Sequence, residues 1–117
     1  MDIKEMYVAV GGDYNDAMGR LMKEERLAKF LGMFVNSVEY DNMIKAYEDK
    51  DYERLFRESH SLKGMAANLS LNRLFDSVSA VCESVRHGPP EEDISALVEK
   101  AKQDYEITIN GIKEALS

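Results

Sequence analysis

The sequence predicts an all-α domain, on three observations. Apolar residues recur at alternating spacings of three and four, and nowhere alternate at the period of two that a half-buried strand requires. Only 2 prolines occur in 117 residues, among many Leu, Met, Ala, Glu and Lys, a composition that favours helices. Glycine and proline cluster at a few points, such as Gly11-Gly12 and Gly88-Pro89-Pro90, and punctuate the periodic segments. A single domain over 1–117, with one modest core, is expected at this length.

Ile3, Met6, Tyr7 and Val10 share one face of a short helix from Asp2 to Val10, which Gly11-Gly12 ends. Asp13 or Asn15 is placed to cap a further short turn through Met18, making 1–20 an N-terminal helical extension. From Glu24 to Val38 the stripe Leu27, Phe30, Leu31, Phe34, Val35, Val38 predicts a longer helix. The pattern breaks at Tyr40 to Asn42, and Asp41 is a candidate cap for a shorter helix holding Met43, Ile44 and Tyr47. Asp49-Lys50-Asp51 forms a polar connector whose last residue is a good N-cap for the next helix.

That next helix, 52–69, carries Tyr52, Leu55, Ser59, Leu62, Ala66 and Leu69 as a narrow seam. Ser70 to Asn72 is a tight link, with Ser70 or Asn72 available to cap the succeeding helix. Leu71, Leu74, Phe75, Val78, Val81, Cys82 and Val85 then keep the helical period to about His87, where Gly88 and two prolines stop it. Glu91, Glu92 and Asp93 would place negative charge in the first turn of the last helix, where the macrodipole favours it. Ile94, Leu97, Val98, Ala101, Tyr105, Ile109, Ile112 and Leu116 line one side of that helix. Short connectors imply antiparallel neighbours, so the expected architecture is an up-down antiparallel four-helix bundle over 24–116. Its helices are 24–38/41–50 as one broken element, then 52–69, 72–87 and 91–116, with additional short N-terminal helices.

Charge narrows the function. A net charge of −7 argues against a nucleic-acid partner, which would need a basic stripe, and equally against a membrane surface. Proteins are the expected partners. Cys82 stands alone, so no internal disulfide can form and a cysteine-rich zinc site is excluded. No apolar run approaches a membrane span, and Asp2, Lys4 and Glu5 interrupt any signal-peptide pattern. A reducing, cytoplasmic location is the expected setting.

His60 is the candidate for chemistry. At about 100° per residue it points about 130° away from the centre of the seam, with Lys63 and Gly64 one turn later on its own side. An unperturbed imidazole, titrating at about 6.5, offers a free nucleophilic nitrogen near neutral pH without a general base. Lys63 can offset charge on phosphoryl oxygens as a point charge. Gly64 costs about 1 kcal/mol against alanine in a helix interior, a cost that backbone clearance for a partner would justify. Ala67 extends the low-profile patch by another turn. The bland alternative is an ordinary surface histidine beside a tolerated glycine, and spacing alone leaves both open.

The residues His60-Ser61-Leu62-Lys63-Gly64 resemble the His-x-Leu-Lys-Gly signature of histidine-containing phosphotransfer (HPt) domains. The similarity runs from about Phe30 through Asp51 and Ala66-Ala67-Asn68-Leu69 to Leu74, Glu83 and Arg86. Two departures stand out: Ser59 where alanine is common, and Ser70 where glycine often comes after the leucine. The resemblance implies a phosphorelay intermediate, with His60 taking a phosphoryl group from a receiver-domain aspartate and passing it to another. It implies Lys63 beside the phosphoryl oxygens, Gly64 as clearance, and Arg86 as a basic residue facing the phosphohistidine. It further implies receiver domains of response regulators and hybrid histidine kinases as partners. Magnesium and most of the catalytic apparatus would belong to the receiver, so no cofactor is expected in this chain.

Other residues carry blander expectations. His87 sits at a helix end, where it can meet exposed carbonyls. Cys82 lies on an apolar stripe and reads as a small core residue. Met6 and Tyr7, with Val10, are candidates either for packing or for a docking patch near the His60 helix. A monomer that carries phosphate without autokinase activity is expected, since no nucleotide-binding motif occurs. Two rival readings stay open: a helical adaptor that docks without accepting phosphate, and a helical hydrolase or metal enzyme using His60 or His87. Neither histidine has a convergent acid–base cluster in the sequence to support the latter.

Overall fold

The computed structural model describes all 117 residues, which form seven helices and no strands. They are α1 (Ile3–Val10), α2 (Tyr14–Leu21), α3 (Glu24–Val35), α4 (Glu39–Glu48), α5 (Tyr52–Asn68), α6 (Asn72–Ser84) and α7 (Ser95–Leu116). Each of the expected apolar stripes supplies residues to one core. Leu27, Leu31 and Phe34 come from α3, Leu55, Leu62 and Ala66 from α5, Leu74, Val78 and Val81 from α6, and Val98, Ala101 and Ile112 from α7. Cys82 is free and buried beside them. Packing runs α4 on α5, α5 on α6 and α6 on α7, and α7 closes on α3. The segment Asn36–Val38 therefore breaks one element in two, with one piece facing α7 and the other α5.

Helix ends obey local chemistry, with five departures from the sequence expectation. Asp2, Asp13 and Asp51 cap α1, α2 and α5 by accepting bonds from the backbone N–H groups of Glu5, Asp16 and Arg54. Asp41, expected as a cap, lies inside the first turn of α4 instead, because that helix already starts at Glu39. α3 stops at Val35, which leaves Val38 exposed rather than in the core. α6 ends at Ser84, so Arg86 and His87 lie in the turn after it, not on it. Glu91, Glu92 and Asp93 precede α7, and Asp93 accepts from the Ser95 N–H at 2.9 Å. A stretch of coil after Pro89-Pro90 postpones the last helix by a turn.

The corner between α5 and α6 departs most. Neither Ser70 nor Asn72 caps α6; Leu71 takes that place without a side-chain bond. Ser70 adopts a left-handed backbone (φ 54°), and its hydroxyl is committed to the Asp16 carboxylate at 2.6 Å and to Arg20. Arg20 also donates to the carbonyls of Ala67 and Asn68, each at 3.2 Å, and so meets the carbonyl end of α5 with a cation. The buried Tyr7 hydroxyl donates to the Leu69 carbonyl at 2.7 Å, and the Asp13 N–H to Ser70 O at 2.9 Å. Residues of α1 and α2 thus satisfy the backbone groups that the end of α5 leaves unpaired. Tyr7 is spent on this contact, and Met6 lies against Gly111 of α7. Both side chains are buried, which removes them from any docking patch.

Candidate functional site

α5 presents the candidate site because its two sides differ in chemistry. Leu55, Ser59, Leu62 and Ala66 face the core, with the Ser59 hydroxyl turned back to the Leu55 carbonyl at 2.6 Å. A serine at this seam position therefore keeps its polar atom satisfied inside the helix. On the opposite side His60, Gly64 and Ala67 are exposed and Lys63 is half-buried. A Cβ added to Gly64 would meet no atom within 4 Å, so the backbone there is open to an approaching body. Lys63 comes one turn after His60 on the same side of the helix, and its charge is felt at Glu83 on the neighbouring helix.

Two aromatic contacts shape the other flank. The His60 imidazole stacks on Phe56, one turn earlier, with ring centroids 5.7 Å apart and planes inclined by 27°. The Arg86 guanidinium lies over the same Phe56 ring, 5.1 Å from its centroid, and pairs with the Glu83 carboxylate. Arg86 holds the Glu83 carboxyl below the usual carboxylate range, and the charges of Lys63 and His87 act in the same direction. Lys63, Glu83 and Arg86 therefore share one electrostatic neighbourhood beside His60. Arg57, exposed on the same helix one turn before His60, adds a further cation to a chain that is otherwise acidic.

The sequence-predicted residues distribute plainly. His60, Lys63, Gly64 and Ala67 lie on one face, and Arg86 reaches that face through Phe56. Met6 and Tyr7 do not. Sequence periodicity misses Phe56 because it lies off the apolar seam; its signal is the spacing of four residues before His60. An apolar groove lined by Phe30, Met33, Phe34, Met65 and Leu69, with Ser37 and Asn68 at its rim, runs between α3 and α5. Its Asn68 edge lies one turn beyond Gly64. No group of three or more His, Cys, Asp or Glu side chains is arranged to hold a metal ion.

A scan against protein-family models matches residues 29–115 to the Hpt domain. The chain belongs to the Hpt domain family. Histidine phosphotransfer in phosphorelays, by interaction with receiver domains, is the role this family membership supports. Comparison with curated proteins and with solved structures returns no match. The family segment of this Hpt domain begins within α3, so α1, α2 and their clasp on the α5–α6 corner lie outside it. No helix of the domain is long and apolar enough to cross a membrane.

Proposed function

We propose that His60 is the phosphoacceptor, receiving a phosphoryl group from the aspartyl phosphate of one receiver domain and delivering it to the aspartate of another. The observation that carries this reading is the exposed imidazole flanked by Lys63 and open Gly64 in a chain of this family. In the forward step a nitrogen lone pair of His60 forms an N–P bond while the P–O bond to the donor carboxyl breaks. The donor carboxylate leaves with the electron pair, and the onward step is the same exchange in reverse. Lys63 offsets charge on the phosphoryl oxygens, and Gly64 with Ala67 admits the receiver. Magnesium, where needed, is held by the receiver.

The docking face extends from Gly64 and Ala67 onto the groove of Phe30, Met33 and Met65, whose apolar lining suits a protein partner. We read the closed packing of α3/α4, α5, α6 and α7 as an up-down four-helix bundle, with α1 and α2 added at one end. A monomer acting in the cytoplasm completes the reading.

Incubation with a receiver domain charged by acetyl phosphate should yield an acid-labile phosphoryl adduct that is absent in His60→Gln. Labelling of that variant at the wild-type level would sink the proposal. Stable receiver binding with no label ever trapped on His60 would favour the adaptor reading instead. Lys63→Ala should slow transfer severalfold while leaving the helical circular dichroism unchanged.

A further inference from the structure

We propose that Phe56 is a positioning residue for His60, holding the imidazole in one orientation and linking it to the Arg86–Glu83 pair. The proposal rests on the phosphotransfer reading above. Phe56 is half-buried and packs against the core, so its ring is anchored from below. His60 is exposed, and the side-chain hydrogen bonds of α5 lie elsewhere, at Asp51, Glu58 and Ser59. Stacking on Phe56 at 5.7 Å is the contact that restrains the imidazole, in the range favoured by offset aromatic pairs.

Helix direction accounts for the geometry. A residue on a helix leans over the turn before it, so His60 lies down on Phe56 and not on Gly64. This leaves the Gly64 side clear and gives the ring a fixed floor. Arg86, 5.1 Å from the Phe56 centroid, is held by the same ring through a cation–π contact and by Glu83 through two hydrogen bonds. Phe56 is thus in contact with both the nucleophile and the nearby guanidinium. Orienting the ring before the donor arrives removes part of the ordering cost from the transfer step. Phe56 itself forms and breaks no bond.

The test compares the wild-type chain with Phe56→Leu and Phe56→Tyr. In the wild type, the His60 ring protons should resonate upfield of those of His87, an exposed histidine within the same spectrum. Phe56→Leu should abolish that difference, and Phe56→Tyr should keep it. With a receiver domain charged by acetyl phosphate, Phe56→Leu should lower the saturating transfer rate roughly tenfold. The half-saturating receiver concentration should stay put, and Phe56→Tyr should restore the rate. Should the leucine variant lose helicity, Phe56→Met replaces it. His60 protons that coincide with those of His87, a full rate in Phe56→Leu, or an equal loss in Phe56→Tyr would each overturn the positioning role. Wild-type chain left unlabelled on His60, by the receiver and by potassium phosphoramidate alike, overturns the phosphotransfer reading and this proposal with it.

Discussion

Gly64 on α5 and Gly111 on α7 both sit in the interior of long helices, and they are glycines for opposite reasons. A Cβ at Gly111 would fall 2.6 Å from Val10 Cγ1 and 3.5 Å from Met6 Cγ. Gly111 is where α1 crosses α7, and the missing side chain lets the two backbones approach. A Cβ at Gly64 would meet nothing. Each position gives up about 1 kcal/mol of helix propensity relative to alanine. At Gly111 the packing of α1 offsets that loss; at Gly64 nothing within this chain does. Gly19 on α2 is equally open, so openness alone marks no site. What sets Gly64 apart is its place one turn from an exposed histidine and next to Lys63. One glycine serves an internal neighbour, and the other leaves room for an external one.

Substitutions can break or sharpen this contrast. The largest effect should come from Gly64→Gln, whose side chain would hold a receiver away from His60. Transfer should fall by about a hundredfold, the order expected when reacting groups are misplaced by about 1 Å, with the urea midpoint no lower than that of the wild type, since glutamine is the better helix former. A full transfer rate would refute the clearance argument. Gly111→Ala should instead cost about 1–3 kcal/mol of stability through overpacking against the stiff Val10, despite the better helix former. Equilibrium urea unfolding reads it, and a stabilised variant would show that α1 is loosely seated.

The seat of α1 also has a pH signature. Burial pushes the Tyr7 hydroxyl above its ordinary value of 10.0, so the folded state keeps a proton that the unfolded chain releases. Stability from this group is complete below pH 10 and is lost as pH rises beyond it, by up to about 1.4 kcal/mol per pH unit. Tyr40, whose hydroxyl is pushed up to about 12, adds a similar loss up to that pH. Tyr7→Phe should be less stable at neutral pH, having lost the bond to Leu69, yet decline less steeply above pH 10. Parallel alkaline limbs in the two proteins would contradict the assignment. The smallest effect belongs to Gly64→Ala, which should gain about 1 kcal/mol because its new Cβ enters open space. Opposite signs for the same substitution at the two glycines are the sharpest form of the comparison.

Much of the fold is legible along the chain, because an amphipathic helix writes its period into consecutive residues. The seam of α5 and the stripe of α6 are buried nearly as read, and Asp13 and Asp51 cap as expected, while Asp2, read as the first helical residue, caps α1 instead. The misreadings lie where residues distant in sequence compete for the same group. Ser70 has the local chemistry of a helix cap, but its hydroxyl belongs to Asp16 and Arg20, which lie some fifty residues earlier. Asp104 interrupts the apolar side of α7 yet is buried there, since Lys100 donates to both of its oxygens at 2.7 Å. Met6 and Tyr7 could be packing or surface by periodicity; only the crossing of α1 over α7 and the α5 corner decides for burial.

The candidate site divides in the same way. By itself the sequence determined that His60 stands outside the seam with Lys63 and Gly64 on its side, because helical geometry relates residues within one turn. It also determined the family, through a motif and a helix order that span most of the chain. Only the tertiary structure decided that Arg86 comes to Phe56, that Glu83 and Lys63 share its field, and that the groove beside Asn68 is apolar. Those relations join separate helices, and contact between helices depends on how their faces pack, which no local spacing encodes.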